Sequence, residues 1–102
     1  MVLGNRSIPD AGRGRPFSLV RARVILVDGI RRHRSGWWCH MVSDRSVEEL
    51  HAFASEIGLR RRWFQDGPRP HYDLRPSKRR LAVSKGAEEV GARELVRRMV
   101  RG

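Results

Sequence analysis

Val24-Ile25-Leu26-Val27, followed at once by Asp28-Gly29, constrains this chain more than any other stretch. Four successive large apolar residues, three of them β-branched, predict a strand covered on both faces, because alternate side chains of a strand point to opposite sides. Asp28-Gly29 ends it. An acid in that position either hydrogen-bonds loop amides or, as at the strand ends of α/β sheets, faces a ligand crevice.

The remaining elements follow from period and punctuation. Ile30 to Gly36 reads as a basic loop with Arg31, Arg32, His33 and Arg34. Trp37 to Val42 reads as a second strand, with Trp38, His40 and Val42 on one face and Trp37, Cys39 and Met41 on the other. The link between the two strands is too short for a crossover helix, so direct pairing would be antiparallel. Ser46 and Glu49 have capping-box spacing and open a helix with Val47, Leu50, Ala54 and Ile57 inward, stopped by Gly58. Arg60 to Gln65 is expected as a third strand, which would make strand, helix, strand a right-handed parallel crossover. Asp66-Gly67-Pro68-Arg69-Pro70 is a loop by composition. A second helix starts near Pro76 or Ser77, with Asp73 or Ser77 as cap, and ends at Gly86. Ala87 to Val90 reads as a short edge strand, and a last helix turns Leu95 and Met99 inward. The expected fold is a small single α/β domain over residues 23–102, a mixed sheet of about four strands with three helices. A flexible basic extension, residues 1–22, precedes it.

The net charge of +11 favours anionic partners, although 20 of the 22 basic residues are Arg, a skew that base composition alone can produce. The single cysteine, Cys39, leaves no internal disulfide and no Cys-rich zinc site. No apolar run is long enough for a membrane span and no signal peptide is legible, so the expectation is a cytoplasmic protein without a membrane partner. Phosphate-loop, dinucleotide and nucleophile-elbow motifs are absent from the sequence.

The chemistry concentrates between Trp63 and Arg80. Residues 60–80 hold eight Lys or Arg against two Asp, together with Trp63, Phe64, His71 and Tyr72. Ser77, Lys78, Arg79 and Arg80 would stand in the first turn of a helix, where free amides and the dipole already favour an anion and positive side chains oppose helix stability. That broken local rule points to a bound phosphate or carboxylate. For Trp63 and Phe64, as for Trp37 and Trp38, core packing is the first expectation and base stacking the second. Asp28, Asp44 and the 66–73 loop would meet on one sheet rim under the crossover reading, where carboxylates and imidazoles could hold a divalent metal or position a substrate by hydrogen bonds. No residue is assigned as a metal ligand, and the cofactor is left unknown.

From Val24 onward the chain resembles a small bacterial and phage family, domain-of-unknown-function family 4031. The resemblance rests on Val27-Asp28, Cys39-His40-Met41, Glu49-Leu50-His51-Ala52, Trp63-Phe64-Gln65, His71-Tyr72-Asp73, Ser77-Lys78-Arg79 and Gly86-Ala87. It covers about residues 24–100 and implies the compact fold and the importance of these polar residues, but no activity. The family strand usually carries a second acid where this chain has Gly29, which weakens a metal reading at that point.

The functional expectation is binding, with hydrolysis as an extension, of a phosphate-bearing small molecule or nucleotide. His71, Asp73 and Asp28 are the catalytic candidates, His71 as general acid–base with Asp73 orienting it. His40, His51, Tyr72, Ser77, Lys78 and Arg79 are the ligand-binding candidates. The alternatives are a nucleic-acid-associated basic protein and an accessory module that docks another protein through residues 46–57 or the last helix.

Overall fold

The computed structural model describes residues 24–102; the expected extension, residues 1–22, lies outside the described residues. The elements are β1 (Ile25–Val27), β2 (Arg31–His33), β3 (Gly36–Ser43), α1 (Val47–Glu56), a 3-10 turn (Arg61–Trp63), β4 (Tyr72–Leu74), α2 (Pro76–Ser84), β5 (Glu88–Glu89) and α3 (Ala92–Arg98). Among the described residues, five strands make one mixed sheet in the order β2-β3-β1-β5, with β4 also paired to β3. The expected small α/β domain with a mixed sheet and three α-helices is what forms.

β3 is the trunk of this sheet. β1, β2 and β4 all run antiparallel to it, and only β5 lies parallel, against β1. β1 and β2 are one hairpin arm with an interruption. Val27 faces Met41 and Arg31 faces Trp38, so Asp28, Gly29 and Ile30 oppose only Cys39 and His40. Three residues against two is a β-bulge, a device that re-aims side chains and breaks the main-chain ladder locally. Asp28 sits at its start.

The sheet separates two apolar layers. Ile25, Val27, Cys39, Met41, Tyr72 and Leu74 point to one side and pack with Leu50, Phe53, Ala54, Ile57 and Ala82. Leu26 and Val42 point to the other, against Leu95 and Met99. The unbroken apolar run of β1 is explained by this sandwich: alternate residues serve helices on opposite faces. α1 opens as expected, with the Ser46 hydroxyl accepting from the Glu49 amide at 3.1 Å. It ends at Gly58, whose φ of +82° suits glycine.

Four expectations are corrected. Arg60 to Gln65 is not a strand but a 3-10 turn followed by a single bridge between Gln65 and His71. Three consecutive arginines cannot alternate into a core, and the turn leaves Arg60, Arg61, Arg62 and Trp63 outside while Phe64 packs inward. The parallel crossover therefore does not exist there: α1 leads to β4, antiparallel to β3. As a result Asp28 and Asp44 do not share a rim. The Asp44 amide binds the Val24 carbonyl at the other end of β1, and its carboxylate meets Arg98 at 3.3 Å. Finally, neither Asp73 nor Ser77 caps α2; Arg75 is the N-cap residue, without a side-chain bond, and Pro76 supplies the preset first turn.

The aromatic pair offers a direct check on this arrangement. Phe64 meets the His51 ring edge to face and lies tilted against Tyr72, whereas Trp63 is 44% exposed. Phe64→Ala should cost about 2–3 kcal/mol of unfolding free energy in urea, and Trp63→Ala less than about 0.5. Equal losses would restore the buried-strand reading.

Candidate functional site

The bulge at Asp28 creates the site. It leaves the His40 amide without a main-chain acceptor in the ladder, and the Asp28 carboxylate takes that place, with Oδ1 accepting from the His40 N–H at 2.7 Å. The second oxygen, Oδ2, lies 2.8 Å from Nδ1 of the same residue's ring. Asp28 is only 1% exposed, so one buried carboxylate holds both the backbone and the imidazole of His40. Hydrogen bonding of this kind is what makes a buried carboxylate tolerable.

β4 brings the second half. His40 and Asp73 are directly opposite in the β3–β4 register, and His40 lines a groove with residues of α3. His71 is two residues before Asp73, hence on the same side of the strand. The His71 Nε2 lies 3.5 Å from Asp73 Oδ1, and its Nδ1 is 2.7 Å from the Arg69 carbonyl. The two imidazoles meet edge to face with centroids 5.3 Å apart. Ligand atoms of His40, His71 and Asp73, one each, all lie within 4.8 Å of one another, the only such metal-competent group of three found among the described residues. Asp28, His40, His71 and Asp73 thus converge.

The charges are mutually supporting. Burial raises the Asp28 carboxyl, but the ring and amide hydrogen bonds of His40 outweigh it and hold the group below its ordinary value. The Asp28 hydrogen bond raises His40 against the effect of burial. Asp73 raises His71, and His71 in turn lowers Asp73. An orienting carboxylate belongs on Nδ1, leaving Nε2 for a reacting proton. The Asp28–His40 pair has that arrangement. In the His71–Asp73 pair the carboxylate lies on Nε2 instead.

Other expected site residues are placed elsewhere. Tyr72 points to the opposite face and shares a 2.8 Å hydrogen bond with His51 of α1. Burial lowers His51 and raises Tyr72, so both are neutral packing groups with satisfied polar tips. Lys78 donates to the Ile57 carbonyl at the end of α1, at 2.5 Å. Arg79 donates to the Asp28 carbonyl at 2.7 Å and pairs with Glu89 at 3.0 Å. Ser77 is exposed on α2. Cys39 is buried, its thiol pushed up to about 12 mainly by desolvation, which leaves it inert.

Residues that had read only as loop or charge surround the cluster. His33 and Ser35, from the β2–β3 hairpin, line a cleft of about 350 Å³ with Trp38, His40, His71 and Asp73. Arg31 and Arg69 border a neighbouring groove along α3 that also contains Asp28, His40 and His71. On the other side Trp38, Trp63, Arg62, Arg75 and Lys78 line a cleft of about 400 Å³, and Trp38 and Asp73 belong to both clefts. The hairpin signal was legible as Arg34-Ser35-Gly36, with Gly36 at φ +128°, but the Arg-rich composition concealed it.

A pH dependence follows from the Asp28–His40 pair. The raised His40 adds stability that is fully present below the unfolded value of 6.5 and is lost as pH climbs through the higher folded value. The lowered Asp28 adds stability that is present above its unfolded value of 3.8 and is lost as pH falls through the folded value. The melting-temperature difference between wild type and Asp28→Asn, in metal-free buffer, should therefore be greatest between about pH 4 and 6.5, narrowing on both sides. A difference independent of pH would contradict the pairing.

Among the described residues no helix is long and apolar enough to cross a membrane. No curated protein and no solved structure matches the chain. Residues 25–102 match the family described as "Protein of unknown function (DUF4031)", and with more than half of its length matched the chain belongs to that family.

Proposed function

We propose that the protein binds a phosphate-bearing small molecule of nucleotide type across the two clefts that share Trp38 and Asp73. The observation that carries this reading is the convergence of His40, His71 and Asp73 beside an aromatic cleft, with cations around both. The phosphate would sit at the histidine end, where His33, Arg31 and Arg69 supply donors and positive charge; guanidinium groups are suited to phosphate oxygens. The base would lie against Trp38 and Trp63. Arg75 Cζ lies 4.0 Å from the centre of the Trp38 ring, so a base would take the other face of that ring or displace the guanidinium. For a hydrolytic extension, Asp28–His40 has the geometry of an oriented acid–base pair.

A second reading has its own support. Trp37 is 50% exposed and Trp63 44%, each with an arginine near its ring, Arg32 and Arg60 respectively. Exposed rings beside cations are stacking platforms for single-stranded nucleic acid.

Titration calorimetry with adenosine 5′-monophosphate, ribose 5-phosphate and a short oligonucleotide separates the two. The nucleotide reading expects saturable binding of the monophosphate, weaker binding of ribose 5-phosphate, and a loss of about tenfold for either Arg69→Ala or Trp38→Ala. Binding confined to the oligonucleotide, and falling steeply with salt, would favour the second reading. No binding of any of the three would refute both.

A further inference from the structure

We propose that His40 Nε2, His71 Nε2 and an Asp73 carboxylate oxygen form a binding site for a divalent first-row transition ion of the zinc, manganese or cobalt type. The inference deepens the proposed function, since it concerns the same site, and its charge argument rests on that reading.

The protonation pattern of the two imidazoles is the first support. A carboxylate and a main-chain carbonyl only accept hydrogen bonds. The Nδ1 of His40 faces Asp28 Oδ2 at 2.8 Å and that of His71 faces the Arg69 carbonyl at 2.7 Å. Each Nδ1 therefore carries the proton, and in each neutral ring the lone pair is on Nε2. Metal-bound histidines have this arrangement: the far nitrogen is anchored on a carboxylate or carbonyl, which sets both tautomer and ring direction. Here both anchors exist, and one of them is a buried carboxylate.

The second support is placement. Two imidazole nitrogens and one carboxylate oxygen lie within 4.8 Å of one another: His40 and Asp73 are paired across β3 and β4, and His71, just before β4, is bridged to Gln65 by main-chain bonds. Cross-strand neighbours on a sheet face are held rigidly, unlike side chains on loops. Three protein ligands on one side leave the remaining positions open, as in catalytic rather than structural sites. The donor set of two imidazoles and one carboxylate suits borderline transition ions better than calcium or magnesium.

The third support is charge. Asp73 stands in the middle of a site otherwise built for an anion, lining both clefts. A bare carboxylate there would repel a phosphate; a divalent ion bound to it reverses the sign and offers open positions to phosphate oxygens. An ion also takes the lone pairs that acid–base chemistry by His40 or His71 would use, so the two readings of these nitrogens exclude one another.

Untagged full-length protein, stripped with chelator and dialysed, is titrated with zinc or manganese chloride by calorimetry and with cobalt(II) chloride by visible absorption. The proposal expects one ion per chain and a cobalt spectrum of low-symmetry nitrogen and oxygen ligation. His40→Ala and His71→Ala should each lose at least about tenfold in affinity. Asp28→Asn, which puts a donor opposite Nδ1 and so favours the wrong tautomer, should lose a similar factor. Tyr72→Phe, on the opposite face, should bind as wild type. Far-UV circular dichroism identifies any variant that does not fold, and Asp73→Asn then serves as the substitute for it. Absence of saturable binding, or unchanged affinity in the folded His40 and His71 variants, would overturn the site. Repeating the monophosphate titration with and without metal keeps the two ideas apart. Metal binding without phosphate binding leaves the ion site standing and removes the nucleotide reading. Phosphate binding by stripped protein that takes up no metal removes the ion site alone.

Discussion

One carboxylate organises the end of the sheet where His40, His71 and Asp73 meet. Asp28 stands where the β1–β2 arm gains a residue over β3, and its two oxygens take up the His40 amide and the His40 ring. The first bond replaces a lost rung of the ladder, so the bulge costs little. The second fixes the imidazole. The group that repairs the sheet therefore also aims the histidine. Arg79, donating to the Asp28 carbonyl from α2, ties the same point to the helical layer behind it.

The rest of the site depends on β4 docking on β3. A three-residue strand has little independent stability. It is held because Tyr72 and Leu74 are buried in the larger core, leaving Asp73, and His71 before it, on the opposite face. Packing on one side thus determines presentation on the other. The His51–Tyr72 hydrogen bond belongs to the packed side, where it satisfies two polar tips inside an otherwise apolar layer. The basic residues of α2 have comparable roles: Lys78 closes the end of α1 and Arg79 braces β1 against β5. Lys78 and Arg79 thus serve the fold, and the arginines that border the clefts are Arg31, Arg69 and Arg75, from loops and a strand end.

Much of the fold was legible locally. The β1 run, the β3 alternation, the Ser46 cap, the Gly58 stop and the last helix follow from period and capping, which depend on near neighbours. The misreading between Arg60 and Gln65 also has a local cause. Trp-Phe-Gln after three arginines has strand-like residues, yet only Phe64 finds a buried place, so tertiary packing overrides the propensity. That one element changed the predicted connection from antiparallel to parallel and placed Asp44 on the wrong rim. His33 and Arg31 were obscured in a stretch whose arginine content mimics a solvated loop.

The sequence by itself determined that a doubly covered strand would anchor a small mixed α/β domain, and that Asp28, His40, His71 and Asp73 were polar residues of note. Their chemistry was set by residue type, which needs no fold. Only the tertiary structure decided that these four meet while His51 and Tyr72 face the other way. The reason is the two-residue period of a strand: a single step in register, or one inserted residue at a bulge, moves a side chain to the opposite face. Whether Asp73 lies across from His40 depends on the β3–β4 register, and that register is set by the burial of Tyr72 and Leu74 against helices distant in the chain.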